Sequence, residues 1–436
     1  MNQADLIIIG AGPGGYETAA EAAAEGLNVV IIERAELGGT CLNRGCIPTK
    51  ALCRSAQVAL DVKEASAYGV DVNGFTLNYP AAAARKDEVV AQLRQGVEMA
   101  LSRCTVVCGE ARFVEPRIVA VGEESYTAPK IIIATGSSPA RLPIPGADLA
   151  VDSDRLLSMT SFPERVTIIG GGVIGMEFAS ILSAFGVAVT VVEYCKEILP
   201  PFDKDISKRL KMALSKRGIN IITSAAVTEI KPDLTVVYEA KGKQAEVASD
   251  LVVMAVGRRP VLPAGIDCTG ITVGRRGIEV DDNMMTSVEG IYAIGDVNGR
   301  CMLAHAASAQ GRRVLGKPVD LDVVPSAVFT TPECAMVGLT EEQCKERQLP
   351  FKSAKALFRA NGKALAMNES EGLVKMIVNT ETRMILGCHI CGPHAADLIQ
   401  EVALAMARAL PVDAIADTIH GHPTLGEAVQ QAARML

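Results

Sequence analysis

Two stretches of this 436-residue chain repeat one another at an offset of 160 residues, and that repeat confines the fold more tightly than any other feature. The first runs Leu6-Ile-Ile-Ile-Gly10-Ala-Gly12-Pro-Gly-Gly15, then an Ala-rich helical run, then Asn28-Val-Val-Ile-Ile32 and Glu33. The second runs Val166-Thr-Ile-Ile-Gly170-Gly-Gly172-Val-Ile-Gly175, a helical run, then Ala188-Val-Thr-Val-Val192 and Glu193. In both, an apolar strand enters G-x-G-x-x-G and a carboxylate follows the third glycine by 18 residues. The glycines let the backbone turn and approach a pyrophosphate. The helix N-terminus offers aligned N–H groups, and the carboxylate accepts from a ribose hydroxyl. One G-x-G-x-x-G alone reads equally well as a plain Gly-rich turn. Here each copy sits in a strand–turn–helix–strand context, so two dinucleotide sites are expected. A carboxylate repels a 2′-phosphate, so Glu193 favours NAD over NADP at the second site.

Composition removes several function classes. The length suggests about three domains, and 49% hydrophobic residues suffice for several cores. With 43 Lys+Arg against 50 Asp+Glu the net charge is −7, which disfavours a phosphate-backbone binder. Aromatic residues make up 4% with no Trp, which argues against stacking platforms for single strands as well. Mean hydropathy is high at +0.25, yet no apolar run approaches the ~20 residues of a membrane span. The surplus lies in Ala, Val and Ile, which suits buried parallel strands and subunit contacts. The strand pattern starts at Leu6, leaving no room for a signal peptide, so a cytoplasmic location is expected. The twelve cysteines are then expected to be mostly buried, reduced thiols.

Turn-rich segments suggest boundaries. Residues 137–146 read as a linker into the second nucleotide domain and 258–265 as the return. After 318–325 the texture shifts to antiparallel strands near 326–331 and 372–378, with an amphipathic, interface-type helix over 395–410. The division expected is 1–145, 146–262, 263–324 and 325–436. Three more apolar strands end in glycine turns: Ile131 to Thr135-Gly136-Ser137, Leu251 to Gly257, and Ile291 to Gly295-Asp296. Asp296 is placed to accept from a ribityl or ribose hydroxyl, although each turn taken singly reads as an ordinary αβ loop.

The segment with most chemistry is Gly38-Gly-Thr-Cys41-Leu-Asn-Arg-Gly-Cys46-Ile-Pro-Thr-Lys50. Two cysteines so spaced at the start of a helical run can close a small disulfide. A thiol at a helix N-terminus beside a cation is expected to be depressed toward the thiolate, and Lys50 lies one turn beyond Cys46. Half a metal site is the alternative, but no second ligand pair accompanies it. Cys388 and Cys391, with His389 and His394 nearby, interrupt an apolar strand before Gly392-Pro393 and read as core thiols. Cys53, Cys104, Cys108, Cys195, Cys268, Cys301, Cys334 and Cys344 have no partner pattern and read as structural. Near the C-terminus, His422 and Glu427 are a candidate acid–base pair, against the plainer reading of a surface His before Pro.

Taken together, GGTCLNRGCIPTK, the two fingerprints, ATGS, AIGD and the C-terminal stretch resemble the pyridine nucleotide–disulfide oxidoreductase family, over essentially the whole chain and in the family's order. Within it, the NAD-linked, lipoamide-oxidising members are the most similar. The resemblance implies an α/β fold with two Rossmann-like dinucleotide-binding domains, for FAD and NAD, and a C-terminal α+β interface domain. FAD would be held by Gly10, Gly12, Gly14, Gly15 and Glu33, and by Gly39, Thr40, Lys50 and Ala111. The turn Thr135, Gly136, Ser137 and the segment Asp296, Met302, Leu303, Ala304, His305 complete that set. NAD would fall to Gly170, Gly172, Val173, Ile174, Gly175, Glu177 and Glu193, with Val227 and Gly257.

The resemblance also implies roles. Cys41 and Cys46 form the redox disulfide; a substrate thiolate attacks Cys41, while Cys46 is nearer the flavin and relays electrons toward NAD⁺. His422 is the base, oriented by Glu427 and supplied by the other subunit of a homodimer, and Lys50 pairs with Glu177 beside the flavin. The partner would be a lipoyl-bearing protein of a 2-oxo acid dehydrogenase or glycine cleavage system, and no metal, nucleic acid or membrane span is expected. Shortened loops near the second nucleotide domain and near 299–325, with Arg312 and Arg313 in place of the usual acidic and small residues, bear on partner docking. The alternatives are another NAD(P)H-dependent disulfide or quinone reductase, or a flavoprotein acting mainly as a binding subunit.

Overall fold

The computed structural model describes residues 1–436. The chain divides into two compact units, Met1–Ala51 with Ala81–Ala140 and Gly257–Leu321, and Leu52–Pro80 with Arg141–Val256 and Asp322–Leu436.

The first unit is organised by a five-stranded parallel sheet in the order Ile291–Ala293, Lys130–Ile133, Leu6–Ile9, Val29–Glu33, Thr105–Cys108. The central strand is buried along its whole length, which is why it reads as an unbroken apolar run rather than an alternation. Helix Pro13–Ala24 starts with Pro in its first turn, where a missing N–H costs nothing. It lies against helix Ala304–Val314 so closely that a Cβ at Gly311 would overlap the Thr18 hydroxyl. A four-stranded sheet of Asn2–Gln3, Glu124–Thr127, Ile118–Val121 and Arg112–Glu115 completes the unit.

In the second unit the repeat returns. A parallel sheet runs Asn220–Ile222, Ala188–Val192, Arg165–Ile169, Leu251–Met254. Leu6 pairs with Val29 in the first unit and Val166 with Val189 here, so the 160-residue offset holds for strand register. The same unit holds a five-stranded antiparallel sheet, Ser326–Val328, Glu333–Gly338, Ile385–Gly392, Leu373–Asn379, Phe351–Leu357. Phe358, Met376, Ile390, Ile399 and Val429 lie in its core with helices Ala395–Ala407 and Glu427–Arg434. Beneath this sheet Lys375 is fully buried, its ammonium 2.8 Å from Asp203 and 2.6 Å from Asp205, with Glu341 at 3.2 Å. No helix is long and apolar enough to cross a membrane.

Two expectations need correction. Only Cys334, Cys344, Cys388 and Cys391 are buried, whereas Cys108 and Cys268 are exposed. Cys108 ends the edge strand of its sheet and Cys268 lies in the short helix Ile266–Cys268, so neither position is covered. The two linkers are also more ordered than their turn-rich sequence suggests: Ser137–Pro139 and Arg258–Pro260 pair as antiparallel strands. Cys388 and Cys391 are three apart on one strand and so project from opposite faces.

Candidate active site

The redox segment owes its shape to glycines. Gly38 and Gly39 have φ of +94° and +59°, the left-handed region that side chains disfavour. A Cβ at Gly39 would lie 2.6 Å from the Gly12 Cα, so this turn sits directly on the first fingerprint. Cys41 and Thr40 follow in the short helix Gly39–Arg44, and Cys46 opens the helix Cys46–Glu64 that carries Lys50. Pro48 is tolerated in its first turn, where N–H groups have no helical acceptor. Between the cysteines, Asn43 donates to the Leu37 and Gly39 carbonyls at 2.9 Å each. It accepts from Arg94 Nε and Nη2 at 3.1 and 2.8 Å. These two brace the segment, and sequence reading missed both: Arg94 is 51 positions away and belongs to no motif.

Cys41 and Cys46 stand as thiols with their side chains in hydrogen-bond contact. The expected depression of the thiol fails at Cys41. Its hydrogen bond to Cys46, then burial and the Cys46 charge, push it far up, and Lys50 pulls it only part of the way back. Cys41 lies on the wall of a cavity of about 560 Å³, lined further by Tyr16, Glu17, Leu42, Ile47, Leu93, His305 and Arg312. Burial and the Glu17 charge hold the Tyr16 phenol up to about 12, so it stays protonated.

Both fingerprints share one geometry. A Cβ at Gly10 would lie 2.3 Å from the Ala134 carbonyl oxygen, and one at Gly15 only 1.9 Å from that of Gly10. The corresponding distances at Gly170 and Gly175 are 2.4 and 2.0 Å, to Ala255 and Gly170. Gly12 and Gly172, by contrast, have nothing within 4 Å on that side. The first and third glycines thus let strand and helix close, while the second faces open space, where a pyrophosphate can approach. Glu33 accepts from Ala11 N at 2.7 Å and Ala35 N at 2.9 Å. Glu193 accepts from Gly171 N at 2.5 Å and Cys195 N at 2.6 Å, the same two bonds displaced by 160 residues. Each carboxylate is fixed by the loop and retains lone pairs for a ribose hydroxyl.

Other expected positions fall around these frames. Gly14 packs on Ala307, while Gly136 and Gly257 have φ of +70° and +106° with open space at a Cβ. Thr135 Oγ1 donates to Val261 O at 2.5 Å, and Ser137 Oγ to Asp296 Oδ2 at 2.5 Å. Ala111 is buried, Met302 is exposed, and Leu303 caps the helix that Ala304 and His305 begin. In the second unit, Val173 and Ile174 form the first turn of helix Val173–Ala184, and buried Glu177 accepts from Phe329 N at 2.9 Å. Val227 packs with Ile169 and Val236. Lys50 and Glu177 belong to different units.

His422 Nδ1 lies 2.8 Å from Glu427 Oε1, while Glu427 Oε2 accepts from Thr424 N at 2.8 Å. Both bonds hold the Glu427 carboxyl below its ordinary range, the His422 bond foremost. The His422 side chain is 80% exposed, so an imidazole held on one edge presents the other outward.

These features meet in a known family. The sequence matches the pyridine nucleotide-disulphide oxidoreductase model over residues 4–311 and that family's dimerisation domain over residues 324–433. The chain belongs to the pyridine nucleotide-disulphide oxidoreductases. A dihydrolipoyl dehydrogenase of Chlamydia pneumoniae is 40% identical over 98% of this chain and 96% of its own. One from Thermus scotoductus is 41% identical over 100% and 98%. Among solved structures, the Cu(II) complex of the HOCl-induced flavoprotein disulfide reductase RclA from Escherichia coli superposes with a TM-score of 0.88. It is 31% identical, and all of both chains is covered. Pyridine nucleotide-disulphide oxidoreductases use FAD and NAD(H), and these are the cofactors of this chain. The open face at Gly12 and Gly172 and the tethered carboxylates of Glu33 and Glu193 fit two dinucleotides.

Proposed function

We propose that this chain is a dihydrolipoyl dehydrogenase, oxidising a protein-bound dihydrolipoyl group with NAD⁺ as final acceptor. The observation that carries this reading is the Cys41–Cys46 pair, seated on the first fingerprint, with Cys41 on the wall of a largely apolar cavity. An aliphatic dithiol arm matches that lining, and the homologues named dihydrolipoyl dehydrogenase span the full length.

In this reading residues 1–145 and 263–324 hold FAD, 146–262 hold NAD, and 325–436 join two copies of the chain. FAD would rest on Gly10, Gly12, Gly14, Gly15, Glu33 and Asp296, and NAD on Gly170, Gly172, Gly175 and Glu193. When bound, the flavin supplies a two-electron acceptor that NAD⁺ reoxidises by hydride transfer. The protein's own part is disulfide exchange. His422 takes a proton from one substrate thiol at Nε2 while Glu427 holds Nδ1. The thiolate attacks Cys41 of the Cys41–Cys46 disulfide and releases the Cys46 thiolate. The second substrate thiol, losing its proton, then displaces Cys41. One enzyme disulfide becomes a dithiol and one substrate dithiol becomes a disulfide, so electrons and protons balance. His422 of one copy would serve the redox pair of the other.

A second reading, a disulfide reductase of the RclA kind, draws on the TM-score of 0.88 with full mutual coverage. One assay separates the two. FAD-loaded enzyme is given dihydrolipoamide with NAD⁺, glutathione disulfide with NADPH, and Cu(II) with NADH in parallel. Fast turnover of the first pair is expected. Turnover of Cu(II) or of glutathione disulfide without it would overturn the lipoyl assignment.

A further inference from the structure

We propose that Arg258 is a positioning residue for the flavin-side carboxylate: acting through Ser137, it decides which oxygen of Asp296 is left to hold the cofactor's hydroxyls. The proposal rests on the reading of Asp296 as a FAD ligand. Arg258 Nε donates to Ser137 Oγ at 2.7 Å, and Nη2 donates to the Ser137 carbonyl at 2.8 Å. Ser137 Oγ in turn donates to Asp296 Oδ2 at 2.5 Å.

The direction of this chain is forced by the chemistry of its members. A guanidinium has donors only, so it occupies a lone pair of the Ser137 oxygen. The hydroxyl's single proton must then go elsewhere, and the carboxylate is the acceptor in reach. Arg258 thus turns Ser137 into an obligate donor to Asp296. Its fork grips one residue through both side chain and backbone, a geometry that lysine cannot reproduce. With Oδ2 so engaged, Oδ1 is the oxygen that remains for a ligand hydroxyl. The other side of the Asp296 segment is braced independently, because Gln310 Oε1 accepts from Gly295 N at 2.8 Å and from Asn298 Nδ2 at 2.9 Å. The carboxylate is therefore set from two directions before a cofactor arrives.

The location adds to the case. Arg258 pairs with Pro139, and Pro260 with Ser137, in the two-stranded sheet formed where the chain leaves the first unit after Ala140 and returns at Gly257. Successive residues of a strand face opposite ways, so neighbouring Arg259, which is exposed, cannot take over the bond. The bland alternative is that Arg258 merely clamps these two strands together.

FAD release from the holoenzyme, followed as the rise of flavin fluorescence on dilution, separates the two. Asp296→Asn should speed release, and Arg258→Gln should speed it by roughly tenfold, as loss of a charge-assisted bond implies. Ser137→Ala, which deletes only the hydroxyl and keeps the bond from Arg258 to the Ser137 carbonyl, should do nearly the same. Adding Arg258→Gln to either Ser137→Ala or Asp296→Asn should then change little, and Arg258→Lys should fall between Gln and the parent. An Arg258→Gln effect that persists undiminished in the Asp296→Asn background would overturn the proposal in favour of the strand clamp. Unchanged release from Asp296→Asn itself would instead overturn the reading of Asp296, and the proposal with it. Should Arg258→Gln fail to fold, Arg258→Lys in the parent and in the Asp296→Asn background carries the same comparison.

Discussion

In the proposed mechanism Cys41 and Cys46 have the same side chain and opposite tasks, and their surroundings differ. The hydrogen bond with Cys46, burial and the Cys46 charge together push Cys41 up, and Cys41 is the more buried of the two. Thiol pKa sets nucleophilicity, so the bond is testable chemically. In Cys46→Ser the Cys46 sulfur and its charge are gone and Cys41 should fall back toward the ordinary thiol range. Iodoacetamide should then alkylate Cys41 of the reduced variant at lower pH than in the reduced parent. FAD should remain bound while dihydrolipoamide oxidation is lost. Undiminished turnover in the variant would remove Cys46 from the chemistry.

At the level of elements, what was legible in the sequence was what repeats or alternates. The 160-residue offset is carried by buried strands and by glycines that admit no side chain, so it survives into register and into the bonds of Glu33 and Glu193. Arg258, Arg94 and Lys375 were not legible, because each acts across a long chain separation and belongs to no period. Lys375, for example, meets Asp203 from 172 positions away. Burial pushes Asp205 up, but hydrogen bonds from Lys355 and Lys375 outweigh it and bring the carboxyl from 3.8 down to about 2. Asp203 and Glu341 are lowered as well, again against burial. A carboxylate depressed in the folded state stabilises above its unfolded value and loses that contribution as pH falls through the folded one. Stability should therefore decline between about pH 4 and pH 2. Lys375→Met strands Asp203, Asp205 and Glu341 without their buried cation, at a cost of about 3–5 kcal/mol at neutral pH. Urea unfolding should show that loss at pH 7 and a flatter dependence below pH 4. A variant as stable as the parent at pH 7 would mean that the carboxylates find another partner.

For the whole molecule the question is whether one copy holds a complete site. His422 is fixed by Glu427 on one edge and 80% exposed, and residues 324–433 match a dimerisation domain. If His422 serves the redox pair of a second copy, a Cys46→Ser chain and a His422→Gln chain should complement one another. In a mixed dimer, the intact cysteines of the second chain face the intact histidine of the first, and the other site carries both lesions. Random association makes half of the dimers mixed, each with one working site, so co-expression should restore about a quarter of the parent turnover from two parents that are each nearly inactive. Separately tagged chains, captured for mixed dimers alone, should reach about half. If His422 acted within its own chain, every site in the mixture would lack a cysteine or a histidine, and tagged mixed dimers would remain as inactive as their parents.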